Sequence, residues 1–177
     1  MVCLGVHLPL TTCVVRDWEP SDLASLVRHA NNRAIWLNLR DRFPHPYLEE
    51  HGRQFLEHMS ATSPATIWAI EVGGAAVGGI GLERLTDVER VSAEMGYWLG
   101  EEYWGRGIVT DAVRAVSEQS FRVFDLTRIF ALPFADNPGS IRVLEKAGFV
   151  VEGRLRQSAI KDGRLRDQLM FARYAAR

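Results

Sequence analysis

The chain holds 177 residues with a formal net charge of −1, 47% hydrophobic and 24% charged, the size and balance of one globular domain that buries a core without staples. The near-neutral charge excludes a global field that would recruit nucleic acid or an anionic membrane, and no apolar run reaches membrane-spanning length. The two cysteines, Cys3 and Cys13, read as thiols of a reducing cytoplasm, and the apolar start lacks the basic region and cleavage site of a secretory leader, which leaves residues 1–11 as an N-terminal extension of a single 1–177 domain.

Thr12 to Trp18 has the composition of a first strand. Pro20-Ser21-Asp22 then starts a helix, with Ser21 expected as N-cap and Leu23, Leu26, Val27 and Ala30 along one face, until Asn31-Asn32 ends it. Ala34 to Leu39 is a short second helix or turn. The two prolines of Arg42-Phe-Pro-His-Pro46 force a bend, after which Tyr47 to Met59 regains helical spacing through Leu48, Phe55, Leu56 and Met59. At Thr66 the period becomes strand-like: Thr66 to Val72, a Gly73-Gly74 hairpin turn, and Ala75 to Arg84 returning, with glycines at 78, 79 and 81 that suggest close backbone approach or a bulge.

Leu85 to Ser92 is a polar loop and Ala93 to Gly100 the next strand. It runs into Gly105-Arg106-Gly107 and then into a long amphipathic helix carrying Val109, Val113, Val116, Ser120 and Phe124 on one side. Arg128 to Phe134 is a strand. Asn137-Pro138 starts a helix with Asn as N-cap and Pro at its first position, and Gly148 sits where its C-terminal cap belongs. Phe149 to Ile160 and Arg166 to Tyr174 are strands around an Asp162-Gly163 turn. The pattern predicts an α/β (α+β) fold: a mixed, mostly antiparallel sheet of six to seven strands, helices on both faces, and a parallel strand–helix–strand crossover over residues 93–134.

A glycine loop opening a helix aims several unpaired backbone N–H groups one way, at the positive end of the helix dipole, and so suits a phosphate or pyrophosphate. It is no Walker A loop, since no Gly-Lys-Ser/Thr follows, and Thr110 stands where a dinucleotide fingerprint needs its third glycine. The five histidines make no metal signature: His51 and His58 share a helix face, but one pair closes no site, and no metal is expected.

Taken as a set, Gly96-Tyr-Trp-Leu99, Tyr103-Trp-Gly-Arg-Gly-Ile-Val-Thr-Asp-Ala112, Arg128-Ile-Phe-Ala131, Asn137-Pro-Gly-Ser-Ile-Arg-Val-Leu-Glu-Lys-Ala-Gly-Phe149 and Glu152-Gly153 resemble the GNAT superfamily of N-acetyltransferases, in the branch similar to the ribosomal-protein N-terminal acetyltransferases RimJ and RimL. The resemblance spans about residues 12 to 175. It implies acetyl-CoA as co-substrate, with the amides of Gly105, Arg106, Gly107, Ile108, Val109 and Thr110 around the pyrophosphate. The pantetheine arm would lie along Trp98 and Leu99, between two parallel strands that splay apart. Asn137 and Ser140 would meet the arm and Lys146 a CoA phosphate. One departure stands out: many members carry Gln or Arg three residues before the first loop glycine, where this chain has Glu102.

Direct transfer needs a neutral amine, a stabilised oxyanion and an acid for the leaving sulfur. Glu94, on the strand beside the expected acetyl end and on the face of Gly96 and Trp98, is the candidate base, with Glu83 in reserve. A strand N–H near Trp98 or Leu99 would meet the oxyanion. Members often place a Tyr in the Asn-capped helix; this chain offers Ser140 instead as acid, and has Ala159 where some close relatives carry a basic Glu. Trp36, Leu39, Asp41, Arg42, Phe43 and Tyr47 are candidates for the acceptor wall. The implied acceptor is a protein or peptide N-terminus. A small amine (polyamine, amino acid or aminoglycoside) and a non-catalytic acyl-CoA-binding regulatory module are the alternatives, and a homodimer is common in the branch.

Overall fold

A computed structural model describes residues 6–176; Cys3 and the first part of the expected extension lie outside them. Eight strands, two more than the lower expectation, follow the order β1-β2-β3-β4-β5-β6-β8-β7 in one sheet. They are β1 (His7–Pro9), β2 (Val14–Arg16), β3 (Ile67–Val72), β4 (Ala75–Arg84), β5 (Ser92–Leu99), β6 (Arg128–Ala131), β7 (Val150–Lys161) and β8 (Arg164–Tyr174). The helices are α1 (Leu23–Ala30), α2 (Arg33–Trp36), α3 (Glu49–Ala61), α4 (Ile108–Val123) and α5 (Pro138–Lys146). The chain forms two compact units: one runs up to Gly81 and resumes over Tyr97–Ile108, the other holds Leu82–Gly96 and continues from Val109. Among the described residues no helix is long and apolar enough to cross a membrane.

In the first unit, part of the expected N-terminal extension is a strand: His7 to Pro9 pair antiparallel with Val14 to Arg16. The entry to α1 is a correction. Ser21 does not cap it: it lies inside a helical turn, Pro20–Asp22, that leads into α1 and is capped by Glu19 in a reciprocal box, the Asp22 carboxylate accepting the Glu19 N–H at 2.9 Å while it pairs with Arg16 Nη1 and Nη2 at 2.8 Å. The β3–β4 hairpin turns on Gly73 and Gly74, both at positive φ (61° and 83°), the conformation a two-residue turn between twisted strands requires. Gly79 serves close approach: a Cβ there would stand 2.8 Å from the Trp98 indole nitrogen. Trp18, Leu26, Ala30, Tyr47, Leu56, Ala69 and Ala76 make the core of this unit, with Phe43, Phe55 and Trp98 packed on it. Truncating fully buried Leu26 to Ala would remove about 2–5 kcal/mol.

In the second unit, β5 and β6 pair in parallel, Ser92 with Arg128 through Glu94 with Phe130, as the crossover reading expects. Helix α4 between them buries Ala112, Val113, Val116, Ser117 and Ser120, the face its periodicity marked out. Helix α5 ends as its sequence dictates. The Gly148 N–H donates to the Glu145 carbonyl (3.1 Å) and the Phe149 N–H to that of Leu144 (3.0 Å), the paired bonds of a Schellman motif. Strands β7 and β8 form the closing hairpin, with irregular pairing between Leu155 and Ala159.

Candidate active site

Within the first unit, β5 ends at Leu99 and the chain makes a single helical turn, Glu101–Tyr103, before the glycine loop. Gly105 and Gly107 hold φ of +75° and +79°, and a Cβ added at either would meet nothing within 4 Å. Glycine is required here by backbone conformation rather than by crowding, and the space before both is open. Ile108 and Thr110 in the first turn of α4 are buried and Val109 is half-buried, so this helix end is anchored by its apolar side while the loop stays exposed. These features fit an anion held by backbone amides at a helix start.

The acidic departure in the loop has a geometric answer. The Glu102 carboxylate lies 3.2 Å from Arg28 Nη2 and 3.4 Å from His29 Nδ1, both on α1. It is therefore committed to α1. Arg106 donates from Nη2 to the Glu102 carbonyl (2.7 Å) and lies over the Tyr103 ring (5.3 Å), so its side chain braces the turn. The Trp104 indole N–H donates to the Leu99 carbonyl at 2.8 Å, and the Gly100 N–H to the Val77 carbonyl at 2.8 Å, which fixes the strand end that enters the loop.

Of the expected acceptor-wall residues, Phe43 and Tyr47 come together with Trp98: the Phe43 ring is 5.1 Å from Tyr47 and 5.7 Å from Trp98. Burial pushes the Tyr47 hydroxyl up to about 12, so it stays protonated and acts as a neutral donor or packing surface. The Trp98 side chain belongs to this aromatic group, so its backbone is the part left for a ligand on the strand. Trp36 stacks on His45 instead (5.6 Å), and Asp41 and Arg42 are exposed in the bend, with Leu39 half-buried before them.

Within the second unit, Met95 is buried and accepts a weak Ser117 contact (4.0 Å) from α4, so Glu94, half-buried, faces the opposite way with exposed Gly96. A Cβ at Gly96 would meet nothing within 4 Å. The β5–β6 ladder stops at Glu94–Phe130 and β6 one residue later. The chain beyond turns to β8: Leu132 O accepts from Gln168 Nε2 (3.1 Å), Pro133 O from the Leu169 N–H (3.0 Å), and the Ala135 N–H donates to Asp167 O (2.9 Å). The two parallel strands thus part just past Glu94. Glu83, on β4, is exposed.

Asn137 caps α5: its Oδ1 accepts the Ser140 N–H at 3.1 Å, leaving the amide nitrogen as the donor end. Ser140 is half-buried in that first turn, and Lys146 is exposed at the far end, where its carbonyl accepts from Arg114 (2.9 Å). At the β7 irregularity near Ala159, Asp167 is already taken by the Gln157 N–H (2.8 Å) and Arg154 (2.7 Å). The backbone bond first, then the ion pair, holds its carboxyl below the usual carboxylate range. Among the described residues no group of His, Cys, Asp and Glu is arranged to hold a metal ion.

The family described as "Acetyltransferase (GNAT) domain" matches residues 13–150. The chain belongs to the GNAT acetyltransferases. The Bacillus subtilis protein YdaF is 33% identical to this GNAT chain over 172 residues, covering 89% of it and 88% of YdaF. The match to several other curated relatives spans about half of either protein: with the ribosomal-protein-serine acetyltransferase of Escherichia coli, identity is 32% over 97 residues, 55% of this chain and 54% of that one. Among solved structures, Mycobacterium smegmatis RimJ in complex with CoA-disulfide superposes with a TM-score of 0.82 at 25% identity, covering 97% of this chain and 87% of RimJ. The GNAT chain is thus similar to the RimJ/RimL-like branch of that family.

Three contributors escape a reading of the GNAT motifs. Arg28, His29 and Asn32 contact the turn before the loop, Asn32 through a 2.7 Å bond to Glu101. No local signal marks them, because their partners lie some seventy residues on (separations of 74 for Arg28–Glu102 and 69 for Asn32–Glu101).

Proposed function

We propose that this enzyme moves the acetyl group of acetyl-CoA to the α-amine of a protein or peptide N-terminus, by direct attack in a ternary complex. The observation that carries the reading is the Gly105–Gly107 loop: two positive-φ glycines before open space, at the start of a helix anchored by its buried side. The amides of Gly105 to Thr110 hold the pyrophosphate. Asn137, with Oδ1 spent on its own helix, offers its amide N–H to the pantetheine arm, and Lys146 offers charge to a phosphate.

Acetyl-CoA supplies a thioester that gives its acetyl group to the amine and leaves as a thiolate, whose modest basicity (thiol pKa about 8.5) makes the amine proton the larger problem. Glu94 takes that proton, directly or through water, at the point where β5 and β6 part. The strand N–H groups near Trp98 and Leu99 meet the carbonyl oxygen, and Ser140 relays a proton from water to the leaving sulfur, regaining its own as it gives one up. Phe43 and Tyr47 wall the acceptor, with Asp41 and Arg42 of the same unit as its polar contacts. The protein-acceptor reading draws on the E. coli ribosomal-protein-serine acetyltransferase, a relative over about half its length.

A panel of peptides with varied first residues, together with spermidine, amino acids and an aminoglycoside, is incubated with acetyl-CoA and read by mass spectrometry. Acetyl on a peptide α-amine is the expected product. Acetyl on the small amines alone replaces the acceptor class. A thermal shift with acetyl-CoA but no product reduces the chain to an acyl-CoA-binding regulator.

A further inference from the structure

The turn Glu101–Tyr103 is held to the α1–α2 corner by contacts that the catalytic reading leaves unused. Arg28 and His29 converge on the Glu102 carboxylate (3.2 and 3.4 Å), and Asn32 Nδ2 donates to Glu101 Oε2 (2.7 Å). His29 is only 7% exposed, meets the Tyr103 ring edge to face at 5.6 Å, and sits so near Gly100 that a Cβ there would stand 2.8 Å from Nδ1. The far side of the same turn is braced by Arg106, from the glycine loop itself, on the Glu102 carbonyl. The two glutamates of the turn are therefore both committed to one corner, and the loop begins at Gly105, three residues after Glu102. Asn32 is also the cap of α2, its Oδ1 accepting from Ala34 and Ile35 N–H (2.8 and 3.3 Å).

We propose that Arg28, His29 and Asn32 are positioning residues for the cofactor loop: by fixing Glu101 and Glu102 they hold the amides of Gly105 to Thr110 aimed before the ligand arrives. Rigid presentation matters because an anion site of backbone donors gains little if the loop must be ordered on binding. The same contacts turn the Glu102 charge toward two basic groups. The inference rests on the proposed use of acetyl-CoA, and its test separates the two.

Dissociation constants of acetyl-CoA and of S-acetyl-pantetheine, which lacks the pyrophosphate, are measured by calorimetry for wild type, Arg28→Ala, Glu102→Ala and the double variant, all at exposed side chains, and for Asn32→Ala. Each single change is expected to weaken acetyl-CoA about 3–10-fold, the scale of a charge-assisted contact. The Arg28/Glu102 double variant should be no worse than the weaker single, and the pantetheine thioester should be unaffected. Acetyl-CoA binding within twofold of wild type in every variant overturns the positioning role, as does equal weakening of both ligands, which marks general damage. Failure of wild type itself to bind acetyl-CoA overturns the cofactor reading and this inference with it.

Discussion

Helices α4 and α5 present the same electrostatics at their starts and solve it in opposite ways. At α5 the chain supplies its own acceptor: Asn137 Oδ1 takes the Ser140 N–H, and Pro138 removes a donor from the first position. At α4 two positive-φ glycines open onto empty space, and the side chains nearby, Arg106 and Glu102, are engaged in bracing the preceding turn. One entrance carries its own acceptor; the other, in the function proposed above, takes an anion. The difference between them is a difference between structure and function written in the same backbone chemistry.

If both entrances only bind, the largest effect on turnover lies at neither. Glu94→Gln is expected to lower kcat by roughly 10²–10⁴-fold with the acetyl-CoA Kd unchanged. The loss should be greatest below the α-amine pKa of about 7.7–8.0 and shrink towards it; a pH–rate profile parallel to that of wild type removes Glu94 as base. At the open entrance, Gly107→Val forces a β-branched residue into the left-handed region, a strain of about 1–3 kcal/mol. Acetyl-CoA affinity should fall at least about tenfold if that strain is relieved by moving the amides. Unchanged affinity would mean that the loop is only a turn.

The closed entrance gives a finer cut. Asn137→Ala should cost about 1 kcal/mol of stability in chemical denaturation. Asn137→Asp keeps the cap and removes the amide donor, so it should retain stability yet weaken acetyl-CoA binding; equal binding by Asn137→Asp and wild type assigns Asn137 to the cap alone. The smallest effect concerns the brace of the open entrance. Burial, the dominant cause, pushes the His29 imidazole below its ordinary value of 6.5; Glu102 opposes this and Arg28 adds to it. The unfolded chain therefore binds the proton more readily. The stability contributed by neutral His29 is whole above about pH 6.5 and is lost as pH falls from there towards the folded-state value. Urea midpoints should drop through that window in wild type and less so in His29→Gln; identical slopes would show that His29 does not titrate there.

What could be read from the sequence was what is local. Asn137-Pro138 and Gly148 set both ends of α5 by chemistry contained within the helix, and Gly73-Gly74 and Asp162-Gly163 set their turns by backbone conformation. The glycine loop was legible for the same reason. Most of what failed was decided at a distance. Ser21 is no cap because the helical turn starts before it, at Pro20, with Glu19 and Asp22 closing the box around it; β1 is three residues whose strand character comes from pairing with β2. Glu102, an unfavourable charge beside a pyrophosphate loop on sequence grounds, is answered by α1 residues that no spacing rule connects to it. The packing of the Trp98 ring with Phe43, in the room that Gly79 leaves, is likewise set by residues distant in sequence.

The central claim is that the open entrance of α4 receives acetyl-CoA and that the acetyl group leaves on a peptide α-amine. The most direct test is tandem mass spectrometry of an unblocked peptide mixture treated with acetyl-CoA and either wild type or Glu94→Gln. Acetyl on α-amines, with lysine side chains untouched, is expected from wild type and strongly reduced in the variant. Acetyl-CoA that binds while no peptide α-amine is acetylated, or equal product from both proteins, would contradict the claim.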